Sequence, residues 1–246
     1  MNYLYHGDCM ELLEVHPPVK AIFMDPPDNI GLEYSSFRDR IEDYYGWIER
    51  LLLRAVLKAE VIWLSYNHVH DLEIKHSIRQ ILRHRHPSWS CREFLWTYTF
   101  SQYTEKDCAQ SFRPIVRLTK PGCQLYPDAI RIASERMLIG DTRAAGPKVP
   151  NCVWEFPRVV GNSAERRSWH PTQHPEKLIQ RMMLFSCSPH ERWLDCFAGS
   201  GTSFRVKAMC EVTGCEISED YCQRLSEEHR LPISGIGELA LKSNQG

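Results

Sequence analysis

The 246 residues predict an α/β protein with a doubly wound, mostly parallel sheet of seven strands. Two observations carry that expectation. Short apolar runs of strand length recur between stretches whose apolar residues return with helical spacing, and several of the runs end directly in a turn signal. An all-β chain is excluded because the helical stripes are too long.

Residues 2–5 and 20–24 are the first two runs, each followed by a turn signal. Ile41, Tyr44, Tyr45, Ile48, Leu51, Leu52 and Ala55 then share one face of a helix. Residues 61–64 read as a buried strand. Phe94, Trp96, Tyr98 and Phe100 alternate with Thr97 and Thr99, the period of two expected of a strand. Residues 115–118 form a weaker strand. Leu178, Ile179, Met182, Met183 and Phe185 give a helical stripe after Pro175. Residues 192–195 and 212–215 are two more short strands with a helix between them, and Tyr221, Cys222 and Leu225 mark a last helix. Residues 121–171 break this rhythm. They are rich in Pro, Gly, Arg and isolated aromatics, with periodicity only over 128–138, and an insertion of that size in a compact domain is expected to be functional or disordered. Residues 231–246 read as a loosely packed tail.

Lys plus Arg number 30 and Asp plus Glu 31, a net charge of −1, so a protein held on nucleic acid by bulk charge is excluded. Any such surface must come from local clustering. No apolar run reaches the roughly 18 residues of a membrane span. The first residues lack the features of a signal peptide, and a cytoplasmic location is expected. The ten cysteines contain no C-x-x-C pair and are expected to be reduced and mostly buried. The eleven histidines form no cluster that points to a metal, and none is expected.

Two turns carry chemistry. Trp193-Leu194-Asp195-Cys196-Phe197-Ala198-Gly199-Ser200-Gly201-Thr202 is a strand running into a glycine turn that opens a helix. Glycines at this spacing let the backbone turn sharply and approach a ligand closely. Glu216 ends the next strand, 21 residues after Asp195, a distance suited to an acid that accepts hydrogen bonds from a ribose diol. The third glycine of a dinucleotide fingerprint is replaced by Phe204, which favours a nucleoside cofactor without a pyrophosphate. In Asp25-Pro26-Pro27-Asp28 the prolines hold Asp25 extended at a strand end. The Asp25 carboxylate and the Pro26 carbonyl then project as two fixed acceptors, a pair that suits an amino group.

Together these residues resemble the DNA amino-methyltransferases, which methylate adenine N6 or cytosine N4 with S-adenosylmethionine. Asp25-Pro26-Pro27 resembles the catalytic motif of that family, Asp195-x-Phe197-x-Gly199-x-Gly201 its cofactor motif, and residues 170–177 the segment just before it. The order of the motifs is that of the circularly permuted β group, and the resemblance covers residues 2–34 and 168–224. It implies a Rossmann-like methyltransferase sheet, with residues 1–120 as catalytic half, 121–170 as a target-recognition insertion and 171–230 as cofactor half. It also implies roles. Asp25 and the Pro26 carbonyl would accept from the target amino group, preceding Pro27 and Asp28. Asp195, Phe197, Gly199 and Gly201 would line the methionine part of the cofactor, Thr202 would be a further cofactor-binding residue, Glu216 would hold the ribose, Asp8 would meet the adenine edge, and Thr172 and Gln173 would contact the cofactor from the other side. Asp8 has an equal reading as the cap of the following helix.

One position departs from the resemblance. An aromatic for stacking on the flipped target base is expected after the prolines, and this chain has Asp28. Three readings stand open: another aromatic substitutes (Tyr34, Tyr44 and Tyr45 are nearest in sequence), the substrate is already unpaired, or the chemistry is impaired or altered. Adenine N6 is favoured over cytosine N4 because position 25 is Asp. A nucleic-acid-binding protein without catalysis and a nicotinamide-dependent oxidoreductase remain as rivals. DNA, taken as double-stranded, is the expected partner, and a homodimer the candidate assembly. Arg79, Arg83 and Arg85 in one basic run, and Arg158, Arg166 and Arg167 beside Trp154 and Trp169 in another, are the candidate DNA contacts.

Overall fold

Val19–Met24 (β2) and Ala59–Ser65 (β3) are apolar on both faces, and such strands are stable only where helices cover both sides. The computed structural model describes residues 2–34, 39–99, 105–206 and 210–237, and puts these two strands side by side near the middle of the sheet. The remaining strands are Tyr3–His6 (β1), Ser90–Thr97 (β4), Phe112–Thr119 (β5), Val153–Glu155 (β6), Arg192–Asp195 (β7), Glu211–Glu216 (β8) and Ile233–Gly235 (β9). Their order is β6-β4-β5-β3-β2-β7-β8-β1-β9. The run from β3 to β9 is parallel, whereas β5 is antiparallel to both its neighbours. The seven predicted strands are all present, and two short edge strands, β6 and β9, bring the count among the described residues to nine.

The helices are Cys9–Val15 (α1), Tyr44–Lys58 (α2), Asp71–His84 (α3), Glu135–Leu138 (α4), Glu176–Ser186 (α5), Thr202–Arg205 (α6) and Glu219–His229 (α7). Strand alternation divides the core between the two faces. Ile22, Met24, Ile62 and Leu64 pack with α1, α2 and α3, while Ala21, Phe23, Val61 and Trp63 pack with α5. Asp43 starts α2 by accepting the Gly46 N–H at 3.2 Å. The predicted stripe of α2 is buried at Tyr44, Ile48, Leu51, Leu52 and Ala55, but Tyr45 lies at the surface.

The chain leaves β2 through α2 to reach β3 on one side, and leaves β7 through α6 to reach β8 on the other. The carboxyl ends of β2 and β7 are adjacent, so the connections diverge and a crevice opens between them. Asp25 follows β2 at that crevice, and the glycine turn follows β7.

Three expectations are corrected. The strand over 94–100 ends at Thr97, with Phe100 outside the described residues. The periodic stretch 128–138 is broken into a 3-10 turn (Pro127–Ile130) and the single turn α4, closed by the Ile132–Lys148 bridge. The tail is not loose where it is described: Leu231 and Ile236 are buried and β9 pairs with β1, with 238–246 outside the described residues.

Trp63 is fully buried and donates its Nε1–H to Ser186 Oγ at 2.8 Å. Trp63→Ala should therefore lower unfolding free energy by about 3–5 kcal/mol in urea titration, through the cavity and the orphaned hydroxyl. A loss under about 1 kcal/mol would contradict this packing.

Candidate active site

A cleft of about 1380 Å³ lies over the crevice, lined by Asp25 to Asp28 on one side and by Phe197, Gly199 and Glu216 on the other. The Asp25 carboxylate is held at both oxygens. Arg113 Nη2 donates to Oδ1 at 2.7 Å, and His174 Nδ1 faces Oδ2 at 3.2 Å. Arg113 also donates from Nη2 to Asp28 Oδ1 at 2.9 Å, from Nη1 to Asp28 Oδ2 at 3.3 Å and from Nε to Ser65 Oγ at 2.8 Å. Ser65 Oγ lies 3.0 Å from His174 Nε2. Ser65 Oγ thus bridges Arg113 and His174, joining the groups on the two sides of Asp25.

The electrostatics follow from this ring of contacts. Burial acts to raise the Asp25 carboxyl, but His174 and Arg113 outweigh it and hold it well below the usual carboxylate range. Burial likewise opposes the Arg113 charge, and Asp28 and Asp25 overcome it, raising the guanidinium above its ordinary value. Asn67 Nδ2 donates to Asp28 at 3.3 Å, His70 Nε2 meets the Asp28 carbonyl at 2.7 Å, and Tyr45 meets the other His70 nitrogen at 3.0 Å. Tyr44 donates to the Pro27 carbonyl at 2.9 Å. Tyr44 and Tyr45 thus buttress the diproline turn from behind. Of the three tyrosines considered for stacking, Tyr34 lines the cleft.

The glycine turn is built on two acids. Asp195 accepts the Phe197 N–H at 3.1 Å and the Ser203 O–H at 2.5 Å. It sits behind the turn, against a small side cavity rather than the main cleft. Glu216 accepts the Gly199 N–H at 2.8 Å and the Ser218 N–H at 2.9 Å, and lines the cleft. Burial raises its carboxyl against those amides. Gly199 has φ 48°, and a Cβ there would stand 2.9 Å from His170 Nε2. Gly201 is glycine for another reason: at φ 76°, its Cβ would stand 2.3 Å from Leu225 of α7. Thr202 is buried with its hydroxyl on the His174 carbonyl at 3.3 Å. Gly201 and Thr202 therefore shape the turn and do not line the main cleft. Asp8 does both things considered for it, capping α1 through Met10 N–H at 2.8 Å and lining the cleft. Thr172 and Gln173 line it too, with Gln173 tied to the Glu165 carbonyl at 2.7 Å and the Arg167 N–H at 3.0 Å.

The basic residues separate. Arg158 lines the cleft with its guanidinium 5.2 Å from the Tyr98 ring centre, and Arg166 is exposed nearby in sequence. Arg167 is engaged by Glu228 of α7, with Nε 2.9 Å from a carboxylate oxygen. Arg79, Arg83 and Arg85 are exposed, but α3 starts at the turn beside Asp28 and runs away from it for 14 residues. At 1.5 Å per residue its end lies about 20 Å from the cleft rim. The structure does not bring this run to the site. What sequence reasoning missed is Arg113, His174, Ser65, Asn67 and His70. His174 lies within residues 170–177, just before the glycine-turn strand, whereas Arg113 carries no local signal. Among the described residues no group of three or more His, Cys, Asp or Glu is placed to hold a metal.

Residues 19–228 match the model of a DNA methylase family whose members modify N6 or N4. The chain belongs to this family. Among its relatives, the DNA adenine methyltransferase YhdJ of Escherichia coli strain K12 is 30% identical over 240 residues, covering 89% of this chain and 79% of that one. Among solved structures, the cytosine-N4-specific PvuII DNA methyltransferase superposes with TM-score 0.68 at 14% identity over 98% of this chain and 91% of that one. The M1.HpyAVI–SAM complex superposes with TM-score 0.64 at 17% identity over 94% and 100%. These likenesses establish the fold of a DNA methylase, with the diproline turn and glycine turn facing one cleft.

Burial pushes the Asp195 carboxyl up to about 6, against the Ser203 and Phe197 donors. Between about pH 4 and 6 the folded methylase therefore keeps a proton that the unfolded chain has released, and the group withdraws stability as pH rises. Asp195→Asn should gain about 1–3 kcal/mol relative to the parent across that interval, read by denaturant titrations at each pH. A constant difference would refute the raised value.

Proposed function

We propose that this methylase transfers a methyl group from S-adenosylmethionine to the exocyclic amino group of a base in DNA, with adenine N6 as the acceptor. The observation that carries the reading is that Asp25 and the turn around Gly199 line one cleft, at the point where β2 and β7 part. S-adenosylmethionine supplies an electrophilic methyl on a sulfonium, which leaves as a neutral thioether. No strong base is then needed, because the amine loses its proton after attack.

The residues of this chain supply alignment. Asp25, fixed by Arg113 and His174, accepts an N–H of the target amine together with the Pro26 carbonyl, and this directs the nitrogen lone pair toward the methyl. Its low pKa keeps it an acceptor throughout the neutral range. Glu216 has each oxygen steadied by one backbone amide and retains acceptor capacity for a ribose diol. Phe197 packs edge-on to Trp47, 5.9 Å between ring centres, and the two make an apolar wall beside Asp8 for the adenine of the cofactor. The fit at Gly199 supports the cofactor, since only a residue without Cβ leaves that approach open beside His170.

Adenine is supported by the YhdJ relative and by Asp at position 25; the PvuII likeness carries the fold alone. Residues 121–170 are the proposed target-recognition region. They join the sheet edge through β6 on β4 and bring Arg158, Val159 and Val160 to the cleft wall. Tyr34 is the proposed aromatic beside the flipped base.

Incorporation of labelled methyl from S-adenosylmethionine into adenine-containing DNA tests the reading. Asp25→Ala should abolish transfer while S-adenosylhomocysteine affinity stays within about threefold, because the lost contact is to the acceptor. Transfer that survives this change would refute the role of Asp25. Arg158→Ala should lower DNA affinity and flatten its salt dependence by about one unit of slope, and Arg85→Ala should leave both unchanged. The reverse ranking would move the DNA path to the α3 end of the molecule.

A further inference from the structure

Asp28 is 7% exposed, and a carboxylate buried to that degree is costly unless it is paired and hydrogen-bonded. Its partner is the guanidinium that holds Asp25. Four of the five Arg113 N–H groups are engaged: Nε on Ser65, both of Nη2 on Asp25 and Asp28, and one of Nη1 on Asp28. A flat fork bonded along three edges has no freedom to swing, so Asp25 is fixed in direction as well as in charge state.

That arrangement creates a difficulty which Asp28 resolves. In methyl transfer the amino nitrogen becomes positive, and a negative group beside it stabilises the transition state. Arg113 paired with Asp25 alone would cancel that negative charge where it is needed. With Asp28 in the same fork, two carboxylates face one guanidinium and the cluster keeps one net negative charge. That balance is of the three side chains alone; His174 Nδ1 lies 3.2 Å from the second Asp25 oxygen and its Nε2 3.0 Å from Ser65 Oγ. Asn67 donates to the Asp28 carboxylate and His70 Nε2 meets the Asp28 carbonyl, so both ends of the residue are held.

We propose that Asp28 and Arg113 are a coupled positioning pair for methyl transfer, in which Arg113 aims the Asp25 acceptor and Asp28 restores the negative charge that Arg113 would otherwise remove. This rests on the reading of Asp25 as acceptor of the target amine. Neither residue is asked to touch the base or the cofactor. The carboxylate at 28 is thus part of the working site and not the mark of an impaired enzyme.

The test is a charge-compensation cycle on the full chain: Asp28→Asn, Arg113→Gln and the double variant, with kcat, KM for DNA and S-adenosylhomocysteine affinity measured for each. Asp28→Asn and Arg113→Gln should each lower kcat by about tenfold or more with KM and cofactor affinity within about threefold, since the change acts on the transition state. The double variant, which returns the cluster to one carboxylate and one negative charge, should turn over faster than either single variant. A double variant no faster than the better single variant, or losses that appear in KM instead of kcat, overturns the proposal. If Arg113→Gln fails to bind S-adenosylhomocysteine and so has not folded, Asp28→Glu against Asp28→Asn decides. The charge-keeping change should be the faster of the two, and equal rates overturn the pairing. A parent chain that transfers no methyl to any DNA would instead defeat the underlying reading of Asp25, so the two failures are distinguishable.

Discussion

One guanidinium between a buried and a half-buried carboxylate governs the diproline side of the cleft. The three charges meet at one corner of the cleft, and the guanidinium offsets the burial of Asp28 in particular. The requirement reaches into the sheet. Arg113 is the second residue of β5, and it reaches Asp25 because β5 runs against β3, with Ile115 beside Ser65. In a parallel strand the first residues would lie at the opposite rim. The antiparallel insertion of β5 is what delivers an arginine from the start of a strand to the carboxyl end of β2.

The cofactor side uses acids differently. Asp195 and Glu216 each accept hydrogen bonds from the backbone of the turns they face, so much of their work is to hold backbone in place. Gly199 and Gly201 share a left-handed backbone but serve different neighbours, His170 at the cleft and Leu225 in the packing of α7. A spacing of two glycines is therefore one conformational device with two loads. The acid at the strand end and the acid 21 residues later fall together for the same reason, since β7 and β8 are parallel neighbours with Asp195 opposite Gly214.

Local pattern made the central strands, the α2 stripe and both turns legible, because each is set by residues within one element. Val61 to Leu64 could only be a strand with both faces covered, and Asp25 before two prolines could only be extended. The sequence was silent on Arg113 because its partners lie 48 to 88 residues away and no period links them. It could not locate Arg79, Arg83 and Arg85 relative to the cleft for a related reason: clustering along a helix says that the residues share a face, and nothing about which end of the sheet the helix runs toward. Tyr44 and Tyr45 were near Asp28 in sequence and proved to be its rear support, since α2 packs behind the turn. Asp28 leaves three readings open in the sequence because its counter-charge lies 85 residues away.

The charges lining the cleft explain how a chain of near-zero net charge can serve a cationic cofactor and a polyanionic substrate. Asp8, Asp25, Asp28, Asp39 and Glu216 face Arg113 and Arg158, an excess of acid. Such a lining favours a cationic ligand such as S-adenosylmethionine over a phosphate group. It also discriminates between cofactor and product, because the methyl leaves with the sulfonium charge and the thioether that remains is held by one attraction fewer. Acid therefore dominates inside the cleft, a setting matched to the cation and not to the polyanion.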